Sequence, residues 1–188
     1  NGFRLNSSLE MKKFKKKYES MYGVAPGMLD EQIERSICQC GIVHDNRLYC
    51  PEKMLDEDTK EKLERYIKES FKNGKKCLFF EALFHVFSGE FLDHYIYDAD
   101  MLKAYLQSFC HGQYFFFSNY FSVDPNATSD PTEEIVSCVI EYGKPIVYEE
   151  LYRLLPHIPE DRIRLTLNTT KEFISNGRKQ YFHIRVFR

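Results

Sequence analysis

Leu78–Phe87 reads LFFEALFHVF and Ile146–Leu155 reads IVYEELYRLL, and the likeness of these two stretches decides the fold. Apolar, aromatic, Glu and Leu positions coincide across ten residues without a gap. Each stretch also follows a Gly-Lys pair, which ends at Lys75 in one case and at Lys144 in the other. Because internal similarity is typical of duplicated structural units, the sequence predicts two copies of one small fold.

The first copy extends on both sides of its matched stretch. Upstream, Asp56-Glu57-Asp58 precedes apolar residues at helical spacing, which predicts a first helix. A short strand over Cys77–Phe79 then runs into a second helix, and Asp98 caps a third. Downstream, Gln113–Val123 reads QYFFFSNYFSV and predicts an aromatic hairpin. The order of elements is therefore helix, strand, helix, helix, hairpin.

The second copy gives the same order. Asp130-Pro131 supplies an N-cap followed by proline at the first helical position. Ile146–Tyr148 is the predicted strand, and Pro159-Glu160-Asp161 opens the third helix. The predicted hairpin covers Lys171–Phe187 and turns at Asn176-Gly177, since Asn-Gly between strand-like runs is a strong hairpin signal.

Residues 1–54 predict an incomplete third copy. Met11–Met21 would be its second helix and Leu29–Cys40 its third, ended by Gly41 as the C-cap. A hairpin then crosses Asp45-Asn46 between two short strands, Ile42–Val43 and Arg47–Cys50. The first helix of this copy is expected to be missing or to be supplied by chain upstream of Asn1.

This order of elements resembles the winged helix-turn-helix superfamily. The resemblance covers residues 55–124 and 129–188, with 1–54 as a partial unit. It implies an α+β fold of tandem winged-helix units. In the DNA-binding members, the third helix enters the major groove and the wing touches phosphate or the minor groove. The resemblance therefore implies a regulatory or replication-linked protein whose partner is duplex DNA.

The last copy carries the strongest local charge bias. Residues 162–188 hold seven basic side chains against one acid, although the formal net charge of the chain is −2. Transferred onto this chain, the winged-helix mode of binding implies nucleic-acid contacts from the third helix and the wing, through Arg162, Arg164, Asn168, Lys171, Arg178 and Lys179. The alternative is a solvated basic face without a ligand.

The middle copy points to protein contacts instead. Its third helix bears Asp98 and Asp100 against Lys103, and its hairpin has no basic residue, so duplex phosphate would be repelled there. The hairpin has more rings than alternation can bury on one face. We therefore expect a protein interface at Tyr114, Phe116 and Tyr120. For the whole chain, the alternative function is a protein-interaction module, with a partner protein or a second copy, that binds no DNA.

A second basic run lies near the start of the chain, at Lys12, Lys13, Lys15, Lys16 and Lys17. On a helix, one-residue steps rotate by about 100°, so these lysines cannot share one side. Phe14 and Tyr18 would face inward while the lysines ring the rest. The pattern favours a solvated helix over a specific phosphate contact.

Residues that bear chemistry do not form a known catalytic motif. Four possible ligands of a soft metal ion lie close together in the sequence, at Cys38, Cys40, His44 and Cys50. They lack the C-x₂₋₄-C spacing of most zinc sites, which favours incidental thiols over a metal site. His85 matches Arg153 in the other copy, which favours a solvated face over a catalytic base. No nucleotide-binding loop or nucleophile elbow occurs. We expect no enzyme, metal, cofactor or small-molecule substrate.

The compartment follows from the cysteines and the hydropathy. Six cysteines lack the dense, even spacing of a secreted disulfide scaffold. No apolar run approaches the ~20 residues that a membrane span needs. We therefore expect a cytoplasmic protein without a secretory signal and without a membrane partner.

Overall fold

The computed structural model describes residues 2–110, 112–177 and 179–187. Within these residues the chain forms nine α-helices and nine short β-strands. The helices are α1 (Ser8–Tyr22), α2 (Asp30–Cys38), α3 (Glu57–Lys72), α4 (Phe80–Val86), α5 (Ser88–Phe91), α6 (Ala99–Phe109), α7 (Thr132–Tyr142), α8 (Tyr148–Leu154) and α9 (Glu160–Thr169). The strands are β1 (Phe3–Arg4), β2 (Ile42–His44), β3 (Arg47–Tyr49), β4 (Leu78–Phe79), β5 (Phe115–Phe116), β6 (Tyr120–Ser122), β7 (Ile146–Val147), β8 (Phe173–Ser175) and β9 (Gln180–His183).

The strands form three small antiparallel sheets of one topology, with the orders β1-β3-β2, β4-β6-β5 and β7-β9-β8. In each sheet an isolated strand pairs with the last strand of a hairpin. The registers place Phe3 opposite Leu48, Leu78 opposite Phe121 and Ile146 opposite Tyr181. The predicted helix-rich α+β class is confirmed at this level.

The matched stretches fold alike, residue for residue. In both, the first two residues are a strand and the next seven are a helix, which gives β4 with α4 and β7 with α8. Leu78, Ile146, Leu83 and Leu151 are each at most 2% exposed. The predicted strands were one residue too long, because Cys77 precedes β4 and Tyr148 already belongs to α8.

The predicted helix starts are confirmed through their caps. Asp56 accepts a hydrogen bond from the Thr59 backbone N–H at 2.8 Å at the start of α3. Asp98 accepts one from Met101 at 2.8 Å in the first turn of α6. These bonds satisfy N–H groups that have no partner inside the helix. At α7 the helix begins at Thr132, one residue after the proline that was predicted as its first position.

The N-terminal block (residues 2–50) contains β1, α1, α2, β2 and β3. Its hairpin turns at Asp45 and Asn46 as predicted, and both residues have positive φ. His44 pairs with Arg47, so β2 is one residue longer than the predicted strand, and β3 ends at Tyr49, one residue earlier than predicted. Gly41 is not the predicted left-handed cap, since Gln39 ends α2. A Cβ on Gly41 would lie 2.6 Å from the Tyr49 carbonyl oxygen, so this glycine allows a close approach to β3.

The C-terminal block (residues 130–187) contains α7, β7, α8, α9, β8 and β9. The hairpin of this block turns at Asn176-Gly177 as predicted, but the loop is longer than two residues. Ser175 pairs with Tyr181, and Gly177 and Lys179 both have positive φ. The interior of this block, here called the C-terminal core, consists of apolar residues from α7, α8, α9, β7 and β8 and from the connection between α8 and α9. These residues are Ile135, Val139, Ile146, Leu151, Leu155, Ile158, Ile163, Leu167 and Phe173.

The chain divides into two compact units. One comprises residues up to Lys62 together with Glu90–Phe109, and the other comprises Leu63–Gly89 together with residues from Cys110 onward. The predicted boundaries at 54 and 124 remain predictions. None of the helices that the structure describes combines the length and the apolar character needed to cross a lipid bilayer.

Candidate nucleic-acid interface

The exposed face of α9 is the centre of the candidate site. Ile163 and Leu167 anchor the opposite face in the C-terminal core. Arg164 and Asn168 are exposed and lie four residues apart, so they are neighbours along one side of the helix. The helix therefore presents a guanidinium and a carboxamide together.

Arg164 rests against two tyrosines of α8. Its Nε donates a hydrogen bond to the Tyr152 hydroxyl at 2.8 Å. The guanidinium carbon lies 5.7 Å from the centre of the Tyr148 ring and 5.9 Å from that of Tyr152. Glu160, one turn earlier on α9, is 3.8 Å from its Nη2. The side chain is 54% exposed even so, which leaves guanidinium donors free to face a ligand.

Tyr181 of β9 connects the β8–β9 hairpin to α8 and α9 through hydrogen bonds. Its hydroxyl bonds with that of Tyr148 and donates to Asn168 Oδ1 at 3.4 Å. The hydrogen bond with Tyr148, helped by burial, raises the pKa of Tyr181 to about 12. The Tyr181 hydroxyl therefore keeps its proton at neutral pH and can donate a hydrogen bond. We call these five residues, from α8, α9 and β9, the Arg164 cluster: Tyr148, Tyr152, Arg164, Asn168 and Tyr181.

Arg162 is directed elsewhere. Two helical steps separate it from Arg164 by roughly 200°, so the two side chains leave α9 on different sides. Arg162 is half-buried. Hydrogen bonds from Thr132, with a smaller contribution from the charge of Arg162, lower the pKa of Asp130. Arg162 therefore lies beside the start of α7 and not in the Arg164 cluster.

Two exposed lysines lie at the two ends of the β8–β9 hairpin region. Lys171 follows α9 and Lys179 precedes β9, and neither makes an ion pair with a residue that the structure describes. Arg178 lies outside the described residues. Arg185 is 3.8 Å from Glu172, whose other oxygen is 3.0 Å from the buried His183. The basic residues of the C-terminal block therefore do not all gather on one face.

The three residues predicted as a protein interface each contact other parts of the same chain. Tyr114 stacks on Phe71 at 5.6 Å between ring centres, and Phe116 stacks at 5.8 Å on the fully buried Phe121. The Tyr120 hydroxyl donates to the Ala127 carbonyl at 2.9 Å. All three are half-buried, and the most open ring of strand β5 is that of Phe115, at 47%. Their role in a protein interface remains a prediction.

A carboxylate with two basic partners was missed by the sequence reasoning. Glu134 of α7 binds the Lys75 ammonium, and its Oε1 lies 3.0 Å from Nε2 of His157, which is 7% exposed. Burial opposes ionisation of Glu134, but the bonds with His157 and Lys75 outweigh it and lower the pKa to about 2. The Gly-Lys pair before the matched stretch was the available signal, since it supplies Lys75.

The other chemistry-bearing residues lie apart. Within the described residues, no three His, Cys, Asp or Glu side chains converge as a metal site requires. His85 and Arg153, the matched pair of the two copies, are both exposed, as a solvated face predicts. Burial raises the pKa of Cys77, near Glu134, to about 11. This cysteine is therefore a thiol at neutral pH and not a nucleophilic thiolate.

Comparison of the chain with models of protein families, with curated proteins and with solved structures finds no match in any of the three.

Proposed function

We propose that residues 129–188 form a winged-helix unit that binds duplex nucleic acid through α9 and the β8–β9 hairpin. The observation that carries the proposal is the pair Arg164 and Asn168, side by side on the accessible face of α9. The order of helices and the sheet order β7-β9-β8 support it. The hydrogen bond from Tyr181 of β9 to Asn168 of α9 also supports it, because it brings the hairpin beside the third helix.

The chemistry of the Arg164 cluster suits base-edge contacts. Arginine pairs with guanine and asparagine with adenine in the major groove, each through two hydrogen bonds. The two tyrosines under Arg164 hold its long side chain, which lowers the entropy lost on binding. Lys171 and Lys179 add two exposed positive charges that suit phosphate oxygens.

A second candidate function is docking of a protein on the same helix. Glu160 and Asp161 occupy the first turn of α9 and would repel phosphate there. Leu165 is 55% exposed on α9, and Ile174 of the hairpin is 45% exposed. The buried core of a protein interface is more apolar than the rest of the surface, and arginine is enriched in interfaces.

Binding of a labelled duplex, measured by fluorescence anisotropy over a range of salt concentrations, tests the proposal. We expect the logarithm of the affinity to fall linearly with the logarithm of salt. Arg164→Ala should weaken binding roughly 5- to 100-fold, the effect of losing one base contact. Lys179→Ala should weaken binding to all sequences and lower the salt slope by about one.

The matched control is Lys68→Ala, which removes the same charge from an exposed position on α3. It should leave duplex binding unchanged. If the three variants weaken binding equally, the attraction is a property of total charge and the proposed site is wrong. Absence of binding at low salt would favour the protein-docking function.

A further inference from the structure

The connection between α1 and α2 exposes a large apolar surface. Residues 21–29, here called the apolar loop, read MYGVAPGML and include no charged side chain. Five large apolar side chains of the loop are each between 47% and 71% exposed, namely Met21, Tyr22, Val24, Met28 and Leu29. Single exposed apolar residues are common on proteins, but five within nine residues indicate a binding surface.

The apolar loop projects from the N-terminal block. Gly23 ends α1 in the left-handed conformation, with a φ of 73°, and so turns the chain away from the helix. Eight of the nine loop residues are exposed, and Pro26 is half-buried. A Cβ placed on Gly23 or on Gly27 would have no described atom within 4 Å from beyond the adjacent residues. The loop can therefore enter another medium without disturbing the packing of its own block.

The helix that leads into the loop is basic. In α1 there are five lysines against two glutamates. Lys15 binds Asp30, the acid that directly follows the apolar loop, and Lys13 is 3.0 Å from a glutamate one turn earlier. Three exposed lysines have no acidic partner among the residues that the structure describes: Lys12, Lys16 and Lys17.

The lysines lie at a suitable distance from the loop. A rise of about 1.5 Å per residue places Lys16 and Lys17 roughly 8–9 Å from Tyr22 along the axis of α1. This separation is comparable with the headgroup layer of one bilayer leaflet, which is roughly 5–8 Å thick. Glu19 and Glu31 also lie near the loop and oppose binding to anions, but the three lysines outnumber them.

The combination of apolar and basic surface selects the ligand. A nucleic acid would take up the lysines but would leave the apolar side chains in water, since its backbone is contacted by polar groups. A protein partner would bury the apolar loop, but lysine is depleted from protein interfaces. A bilayer with anionic lipids suits both, because it has an apolar interior beneath a layer of negative charge.

We propose that the apolar loop inserts into the surface of an anionic phospholipid bilayer, with Lys16 and Lys17 at the lipid headgroups. Val24, Met28 and Leu29 would enter the boundary between headgroups and acyl chains. A surface contact needs no spanning helix, so this inference replaces the expectation, made from hydropathy, of no membrane partner. It goes beyond nucleic-acid binding and does not depend on it.

Sedimentation of the full chain with phospholipid vesicles tests the proposal. The vesicles contain phosphatidylcholine alone or phosphatidylcholine with phosphatidylserine. One variant combines Val24→Ser with Leu29→Ser, and serine at position 29 is a favourable N-cap for α2, so the fold is kept. A second variant combines Lys16→Ala with Lys17→Ala. The matched controls change an apolar residue that is 85% exposed and a lysine that is exposed on α3: Leu92→Ser and Lys68→Ala.

We expect the parent protein to bind the anionic vesicles and not those of phosphatidylcholine alone. Each lysine near an anionic surface strengthens binding about fivefold, so the double alanine variant should bind roughly 25-fold more weakly. The double serine variant should bind at least about tenfold more weakly, because it buries less apolar surface. Both controls should bind as the parent does, and unchanged circular dichroism would show that all variants fold.

Insertion can be measured directly, because the chain contains no tryptophan. Val24→Trp places a single fluorescent reporter in the apolar loop. Its emission should shift to shorter wavelength with anionic vesicles, and lipids brominated in their acyl chains should quench it. Leu92→Trp is the matched control and should show neither effect.

The proposal is overturned if the parent fails to bind anionic vesicles, if either double variant binds them equally well, or if the Val24→Trp emission does not shift. Without vesicle binding, two results would identify another ligand. Duplex binding that is lost only in the double alanine variant would assign α1 to nucleic acid. A dimer that the double serine variant abolishes would assign the apolar loop to a second copy.

Discussion

Replacing Glu134 by glutamine removes one negative charge between two basic side chains and changes little else. Glutamine has nearly the same shape, but it gives Lys75 and His157 a neutral partner in place of a carboxylate. We expect the variant to be less stable at neutral pH, because charge-assisted hydrogen bonds are stronger than neutral ones.

The size of the effect follows from the pKa of Glu134. That pKa is about 2 in the folded protein against 4.5 for an ordinary glutamate, and such a difference corresponds to about 3 kcal/mol of stability at neutral pH. The Glu134 side chain is 38% exposed, so screening by solvent reduces the expected loss to about 1–2 kcal/mol.

The sign of the pH dependence is also defined. Because the pKa is lowered on folding, the contribution is complete above the unfolded pKa and disappears as the pH falls toward the folded pKa. The free energies of unfolding of the parent protein and of Glu134→Gln should therefore differ at neutral pH and converge below a pH of about 4.5. By about pH 3, more than half of the difference should be gone.

Urea unfolding between about pH 3 and pH 7, followed by circular dichroism, measures both quantities. Glu133→Gln is the matched control, because Glu133 lies in the same helical turn, is 91% exposed and is 3.5 Å from Lys76. Its unfolding free energy should match that of the parent. A difference between parent and Glu134→Gln that is absent at neutral pH, or that stays constant into acid, would refute the assignment of Glu134 as a stabilising carboxylate.

Two further predictions concern packing. Gly41→Ala should cost about 1–3 kcal/mol, since its Cβ would lie 2.6 Å from the Tyr49 carbonyl oxygen; Gly27→Ala, with open space around it, should cost much less in the same urea titration. Leu151→Ala should cost about 2–5 kcal/mol by opening a cavity in the C-terminal core. On the same helix Leu154 is 44% exposed, and Leu154→Ala should cost well under half as much; equal losses would contradict the assigned core.

The repeat could be predicted from the sequence because it depends on residue patterns within short stretches of the chain. The matched stretches carry apolar residues at the spacing of one short strand and one helix, and both fold that way with the same boundaries. Asp56 and Asp98 could be predicted as caps for the same reason, since a cap needs only a short side chain with an accepting oxygen three residues before the N–H that it binds.

Structural features that depend on contacts between distant residues could not be predicted from the sequence. β1 has two residues and is defined only by its pairing with β3, so Phe3–Arg4 carries no pattern of its own. Gly41 was read as a helix cap, because a glycine after a helix usually has that role. Its close approach to Tyr49 becomes visible only when the hairpin is folded.

The sequence predicted only part of the candidate nucleic-acid site. Residue type nominated Arg164 and Asn168 on one helix, but it nominated Arg162 with them. The rotation of roughly 200° between Arg162 and Arg164 on a helix was the signal that could have separated the two arginines. The three tyrosines of the Arg164 cluster come from α8 and from β9, so no local pattern links them to α9. His157 was overlooked because its partner, Glu134, is 23 positions away in the sequence. Lys75, the other partner of Glu134, is 59 positions from that glutamate.

The shared sheet topology governs how the chain assembles as it leaves the ribosome. In all three sheets the middle strand, β3, β6 or β9, is the one that is synthesised last. Until that strand emerges, the two strands that will flank it have no hydrogen-bonding partner in the nascent chain. Each three-stranded sheet can therefore be completed only after its middle strand has been synthesised.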